Sequence, residues 1–119
     1  MEIKSHKDLI VWQRAIELIK IIYQITGRFP AEELYGLVNQ MRRAAISIAS
    51  NIAEGRSRGT RKDFTQFLRM AMGSTAELET QIIIAQDLYS HADFRQAESL
   101  LTEISKMLTS MIQKLKANS

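Results

Sequence analysis

Residues Gln40-Met41-Arg42-Arg43-Ala44-Ala45-Ile46-Ser47-Ile48-Ala49-Ser50-Asn51-Ile52-Ala53-Glu54-Gly55 decide the fold. Wound as a helix, this stretch carries two stripes side by side. Leu34, Val38, Met41, Ala45, Ile48, Ile52 and Gly55 recur at steps of four and three, an apolar or small seam for packing on other helices. One step round the cylinder, Gln40, Arg43, Ser47, Asn51 and Glu54 keep the same spacing and share a face. A polar stripe of that regularity, pressed against an apolar one, is unusual for a helix that only fills a core.

Upstream, Ser5-His6-Lys7-Asp8 reads as a capping box that opens a first helix. That helix has two adjacent apolar stripes, Leu9, Trp12, Ile16, Ile19, Tyr23 and Val11, Ala15, Leu18, Ile22, Ile25. Together they make more apolar surface than one pair of neighbouring helices needs. Either the helix is deeply buried or it self-associates. Gly27 suits a left-handed C-cap and Pro30 the first turn of the next helix, where Glu32 and Glu33 meet the positive end of the helix dipole.

Downstream, the second helix runs to about Arg58 and Gly59 ends it. Thr60-Arg61-Lys62-Asp63 is a second capping box. The third helix presents Phe64, Leu68, Ala71, Thr75, Leu78, Ile82, Ala85 and Tyr89. Ser90-His91-Ala92-Asp93 is a third capping box, and a fourth helix follows with Phe94, Ala97, Leu101, Ile104, Leu108, Met111 and Leu115. Four amphipathic helices joined by short turns predict an all-α, antiparallel up-down-up-down four-helix bundle, with nothing read as a strand.

The composition agrees. A chain of 119 residues, 45% hydrophobic and 24% charged, suits one globular domain spanning residues 1–119. With no cysteine there are no disulfides, no thiolate catalysis and no cysteine-bound zinc. The N-terminal residues lack a signal-peptide pattern and the apolar runs are too short to span a bilayer, so a cytoplasmic protein away from membranes is expected. The net charge of +3 is unevenly placed. Between Arg42 and Arg69 seven Lys/Arg stand against two Asp/Glu, a local +5 that leaves the remainder at −2.

Phe29-Pro30, Gln40-Met41-Arg42-Arg43-Ala44-Ala45, Ser47-Ile48, Asn51-Ile52-Ala53-Glu54-Gly55, Phe67-Leu68, and Ala71 with Gly73-Ser74 and Glu77-Leu78-Glu79 resemble the signature of the 23S rRNA intervening-sequence protein family. Trp12, Ala15, Leu18, Tyr23 and Thr26 fit the same pattern, so the resemblance covers nearly the whole chain. It implies small four-helix bundles assembled as homopentameric barrels. The family includes the accessory variability protein of diversity-generating retroelements, which binds nucleic acid and a reverse transcriptase. The resemblance therefore makes RNA or DNA contact plausible here. The family name itself records a position in the genome, not an activity.

Two sets of residues stand out. Gln40, Arg43, Ser47, Asn51 and Glu54 face Gly73, Ser74, Ala76 and Glu77 on the third helix. Their expected role is a structural polar network in which Arg43 or Arg42 pairs with Glu77 or Glu79, with ligand binding as the other reading. Arg56, Arg58, Arg61 and Lys62, flanked by Gly55 and Gly59, are the candidate phosphate contacts, because guanidinium groups match phosphate oxygens and glycine permits close backbone approach. The bland reading of that segment is a solvated turn. Phe64 and Phe67 are expected in the core, leaving phosphate and shape as what is read.

Catalysis has little support. His6 and His91 lack partners at metal-ligand spacing, Glu77 and Glu79 point to different faces, and no phosphate-cradling loop or nucleophile elbow occurs. No metal and no cofactor is expected. The sequence predicts a non-enzymatic oligomeric scaffold that contacts nucleic acid. The alternative is an adaptor that recruits a protein partner such as a polymerase.

Overall fold

The computed structural model describes residues 5–117. Four helices carry the chain: α1 (Ile10–Thr26), α2 (Leu37–Ser57), α3 (Arg61–Leu88) and α4 (Arg95–Ala117). Short 3-10 turns at His6–Asp8 and Ala31–Glu33 precede α1 and α2, and no strand occurs among the described residues. Each helix packs antiparallel to the next, and α4 closes back on α1. The result is the all-α four-helix bundle, 46 Å long and about 20 Å across.

The seams meet as their spacing requires. Val11, Ala15, Leu18 and Ile22 of α1, and Val38, Met41, Ala45, Ile48 and Ile52 of α2, are buried. Leu68, Ala71, Leu78, Ile82 and Ala85 of α3 join them, as do Ala97, Leu101, Ile104 and Leu108 of α4. Each large aliphatic side chain removed from water contributes about 1.5–3 kcal/mol before the entropy of ordering is counted. The Leu9–Tyr23 stripe of α1 is not deeply buried along its whole length. Trp12, Ile16 and Ile19 are half-buried against the core, while Tyr23 and Ile10 remain exposed.

Helix ends differ in part from expectation. Ser5 and Asp8 form their capping box, but it closes a 3-10 turn, and α1 begins after an extended Leu9. Gly27 is right-handed at φ −62°, so its value at this corner is not a left-handed turn. Pro30 precedes the Ala31–Glu33 turn, and α2 starts only at Leu37, leaving Leu34 outside the helix and 44% exposed. The hydroxyl of Tyr89 donates to the Glu33 carboxylate, and Phe29, Tyr89 and Phe94 pack ring against ring below it.

Thr60 caps α3 by accepting from the Asp63 N–H. Ser90 caps nothing. Asp93 takes that task, accepting from the Arg95 N–H and clamping the Arg95 guanidinium. Those contacts pull the Asp93 carboxyl down to about 2.

Candidate nucleic-acid interface

The link between α2 and α3 is three residues long. Helix α2 ends at Ser57, and Arg58 is its right-handed cap. Gly59 then turns the backbone at φ +83°, a left-handed conformation that costs a side-chain-bearing residue energy. Thr60 is extended and starts α3. This tight reversal gathers Arg56, Arg58, Arg61 and Lys62 at one tip of the bundle. Arg58, Arg61 and Lys62 are exposed and Arg56 is half-buried.

Arg58 is held on two sides. Its Nη2 donates to Glu54 Oε1 at 2.9 Å, and its guanidinium carbon lies 5.1 Å from the Phe67 ring centroid. Both members of the ion pair are about half exposed, so the pair contributes under about 1 kcal/mol and chiefly orients the arginine. Gly55 plays a different part from the one its position suggested. It is buried, and a Cβ there would stand 2.6 Å from Phe67 Cβ and 3.2 Å from Phe64 Cδ1. Its missing side chain lets α3 approach α2; it does not offer backbone to a ligand. A shallow pocket of about 160 Å³ lies beside it, lined by Gly55, Arg56, Gly59, Thr60, Arg61 and Phe64.

Antiparallel packing adds further cations to this tip. The last turns of α4 bring Lys114 and Lys116 alongside the first turns of α3, where Arg69 and Lys116 line one cleft. At the far end Glu32, Glu33, Asp87, Asp93 and Glu98 outnumber Arg28 and Arg95. The bundle is therefore charged along its axis, basic where α3 begins and acidic where it ends. A larger open groove, about 730 Å³, runs between α1 and α4 with Leu9, Ile10, Val11, Met107 and Met111 in its walls. Among the described residues no three His, Asp or Glu gather as a metal site needs, and no helix is long and apolar enough to cross a membrane.

The polar stripe of α2 is only partly joined. Ser47 and Ser74 share a hydrogen bond of 2.9 Å across the two helices, and Asn51 Nδ2 donates to the Ser47 carbonyl and hydroxyl. Glu54 turns away to Arg58. Gln40, Arg43 and Glu77 are exposed, and no pair of Arg43 with Glu77 or Glu79 occurs among the described ion pairs. The reason is rotation. Arg42, one step closer to α1, is the inward arginine, donating to Thr26 Oγ1 at 3.1 Å and covering the Tyr23 ring at 4.3 Å. Phe64 and Phe67 are both half-buried at the tip: Phe64 packs against the buried core, as its place on the α3 seam predicts, whereas Phe67 is not part of that cluster.

Comparison with known proteins agrees with this architecture. A solved structure from Bacteroides thetaiotaomicron, a protein of unknown function from the S23 ribosomal protein family, superposes with a TM-score of 0.73 at 26% identity. The match covers 87% of this chain and 98% of that one. No curated protein matches the chain. A family model described as 23S rRNA-intervening sequence protein matches residues 7–110. That span takes in all of α1 to α3 and most of α4, and the chain belongs to the 23S rRNA-intervening sequence protein family.

Proposed function

We propose that this protein is a non-enzymatic, self-associating scaffold that holds nucleic acid by its backbone at the basic tip. The observation that carries the reading is the convergence of Arg56, Arg58, Arg61 and Lys62 on one three-residue reversal, with Arg69, Lys114 and Lys116 beside them. Cations at this density release counterions from a phosphate chain, the main source of sequence-independent affinity. Self-association is supported by apolar side chains that the single chain leaves in water. Met70, Ile83, Ile84 and Leu88 are all exposed on α3. A ring of five copies, the assembly that the family resemblance implies, would bring five such tips together and multiply the field.

The test is a fluorescence-anisotropy titration of a structured RNA and a duplex DNA at several salt concentrations. The wild type is compared with Arg56→Glu/Arg58→Glu/Arg61→Glu, with folding of the variant checked by circular dichroism. The expected result is affinity that falls steeply with salt, and a folded variant that loses both affinity and most of the slope. Absence of binding at low salt overturns the reading and leaves recruitment of a protein partner as the function to pursue. Light scattering tests the assembly, and a stable monomer at micromolar concentration removes the ring.

A further inference from the structure

The basic tip is also where aromatic rings reach the surface. Phe64 packs against the core and Gly55 on one side, and its half-exposed remainder lines the 160 Å³ open pocket together with Arg56 and Arg61. Phe67, one helical turn away, carries the Arg58 guanidinium over its ring, so a second planar group is held in place there. On the neighbouring helix His6 meets the edge of Trp12 at 5.1 Å, and the 3-10 turn that bears His6 packs on α2. Rings at the acidic end, Phe29, Tyr89 and Phe94, instead pack on one another.

From this juxtaposition we infer that the basic tip takes unpaired nucleotides, with a base against Phe64 and its flanking phosphates on the arginines. The inference rests on the nucleic-acid reading above and deepens it. Phosphate contact alone does not separate a duplex from a single strand. Aromatic and guanidinium planes do, because they accept a base by its face, and that face is free only where bases are unstacked. A duplex laid on a tip about 20 Å across reaches the cations and leaves the rings unused. Loops, bulges and single strands use both.

The test compares three fluorescent probes of equal length at low salt: a single-stranded oligonucleotide, the same sequence as a duplex, and the same backbone with abasic sites at its centre. Each is titrated with wild type and with Phe64→Leu, a substitution that keeps an apolar side chain against the helix. Tighter binding of the single strand, by about tenfold over both other probes, is the expected result. Phe64→Leu then loses most of that advantage and binds the duplex as wild type does. Equal affinity for all three probes overturns the inference while leaving backbone binding intact. Failure to bind any of them overturns the nucleic-acid reading itself. If Phe64→Leu does not fold, the abasic comparison on wild type still decides the matter.

Discussion

Two glycines lie inside helices, Gly55 in α2 and Gly73 in α3, and the room around them differs. A helix-interior glycine ordinarily costs up to about 1 kcal/mol against alanine. Nothing lies within 4 Å of a Cβ built at Gly73, so Gly73→Ala is expected to stabilise the folded chain by about 0.5–1 kcal/mol. Gly55→Ala forces Phe67 away from α2 and is expected to destabilise by about 1–3 kcal/mol. Urea unfolding of the two variants, with shifts of the same sign, would refute this packing. At Tyr89 the hydrogen bond to Glu33, with desolvation and the Glu33 charge, raises the phenol above its usual range. The raised group favours the protonated fold, so its contribution is whole below about pH 10 and is lost as pH climbs through the higher folded value. Tyr89→Phe should therefore be less stable than wild type at pH 8, with the gap narrowing by pH 11. Arg43→Ala and Glu77→Ala, both at exposed side chains, should each change stability by less than about 0.5 kcal/mol. Asn51→Ala, which strips two hydrogen bonds to Ser47 within α2, beside the Ser47–Ser74 bridge to α3, should cost about 1 kcal/mol by the same unfolding measurement.

Among the elements, caps separate signals that sequence carries from those it only suggests. Ser5-His6-Lys7-Asp8, Thr60-Arg61-Lys62-Asp63 and Ser90-His91-Ala92-Asp93 share one pattern, yet they do three different things. The first closes a 3-10 turn, the second caps a 28-residue helix, and the third is passed over for Asp93. Thr60→Ala is expected to cost about 1 kcal/mol and Ser90→Ala almost nothing, as thermal melts of the two would show. The period of the seams was legible because burial of one face tolerates no other spacing, and Val38 to Ile52 and Leu68 to Ala85 are buried where that spacing puts them. Side-chain pairing across helices was not legible. Which of Arg42 and Arg43 turns inward depends on the rotation of α2 against α1, a matter of tens of degrees that both periodicities allow. The basic tip was readable as a run of residues and Phe64 as a seam position, but the half-burial of Phe64 and Phe67 was not, because it depends on where α3 leaves the core.

At the scale of the whole molecule, chain order becomes charge order. Up-down-up-down connection sends the ends of α2 and α4 and the start of α3 to one pole, and their Lys and Arg go with them. Glu32, Glu33, Asp87, Asp93 and Glu98, with only Arg28 and Arg95 against them among the described residues, collect at the other pole, up to 46 Å away. A body charged in this way has a permanent electric moment along its long axis. On the proposed nucleic-acid reading, the field of the polyanion turns the bundle before contact, so the arginine pole arrives first and fewer encounters are wasted on the wrong face. The moment acts through solvent over a Debye length, so added salt slows arrival more than it hastens departure. The bundle is in that sense a compass needle, and its bearing was set by the order in which four helices were strung together.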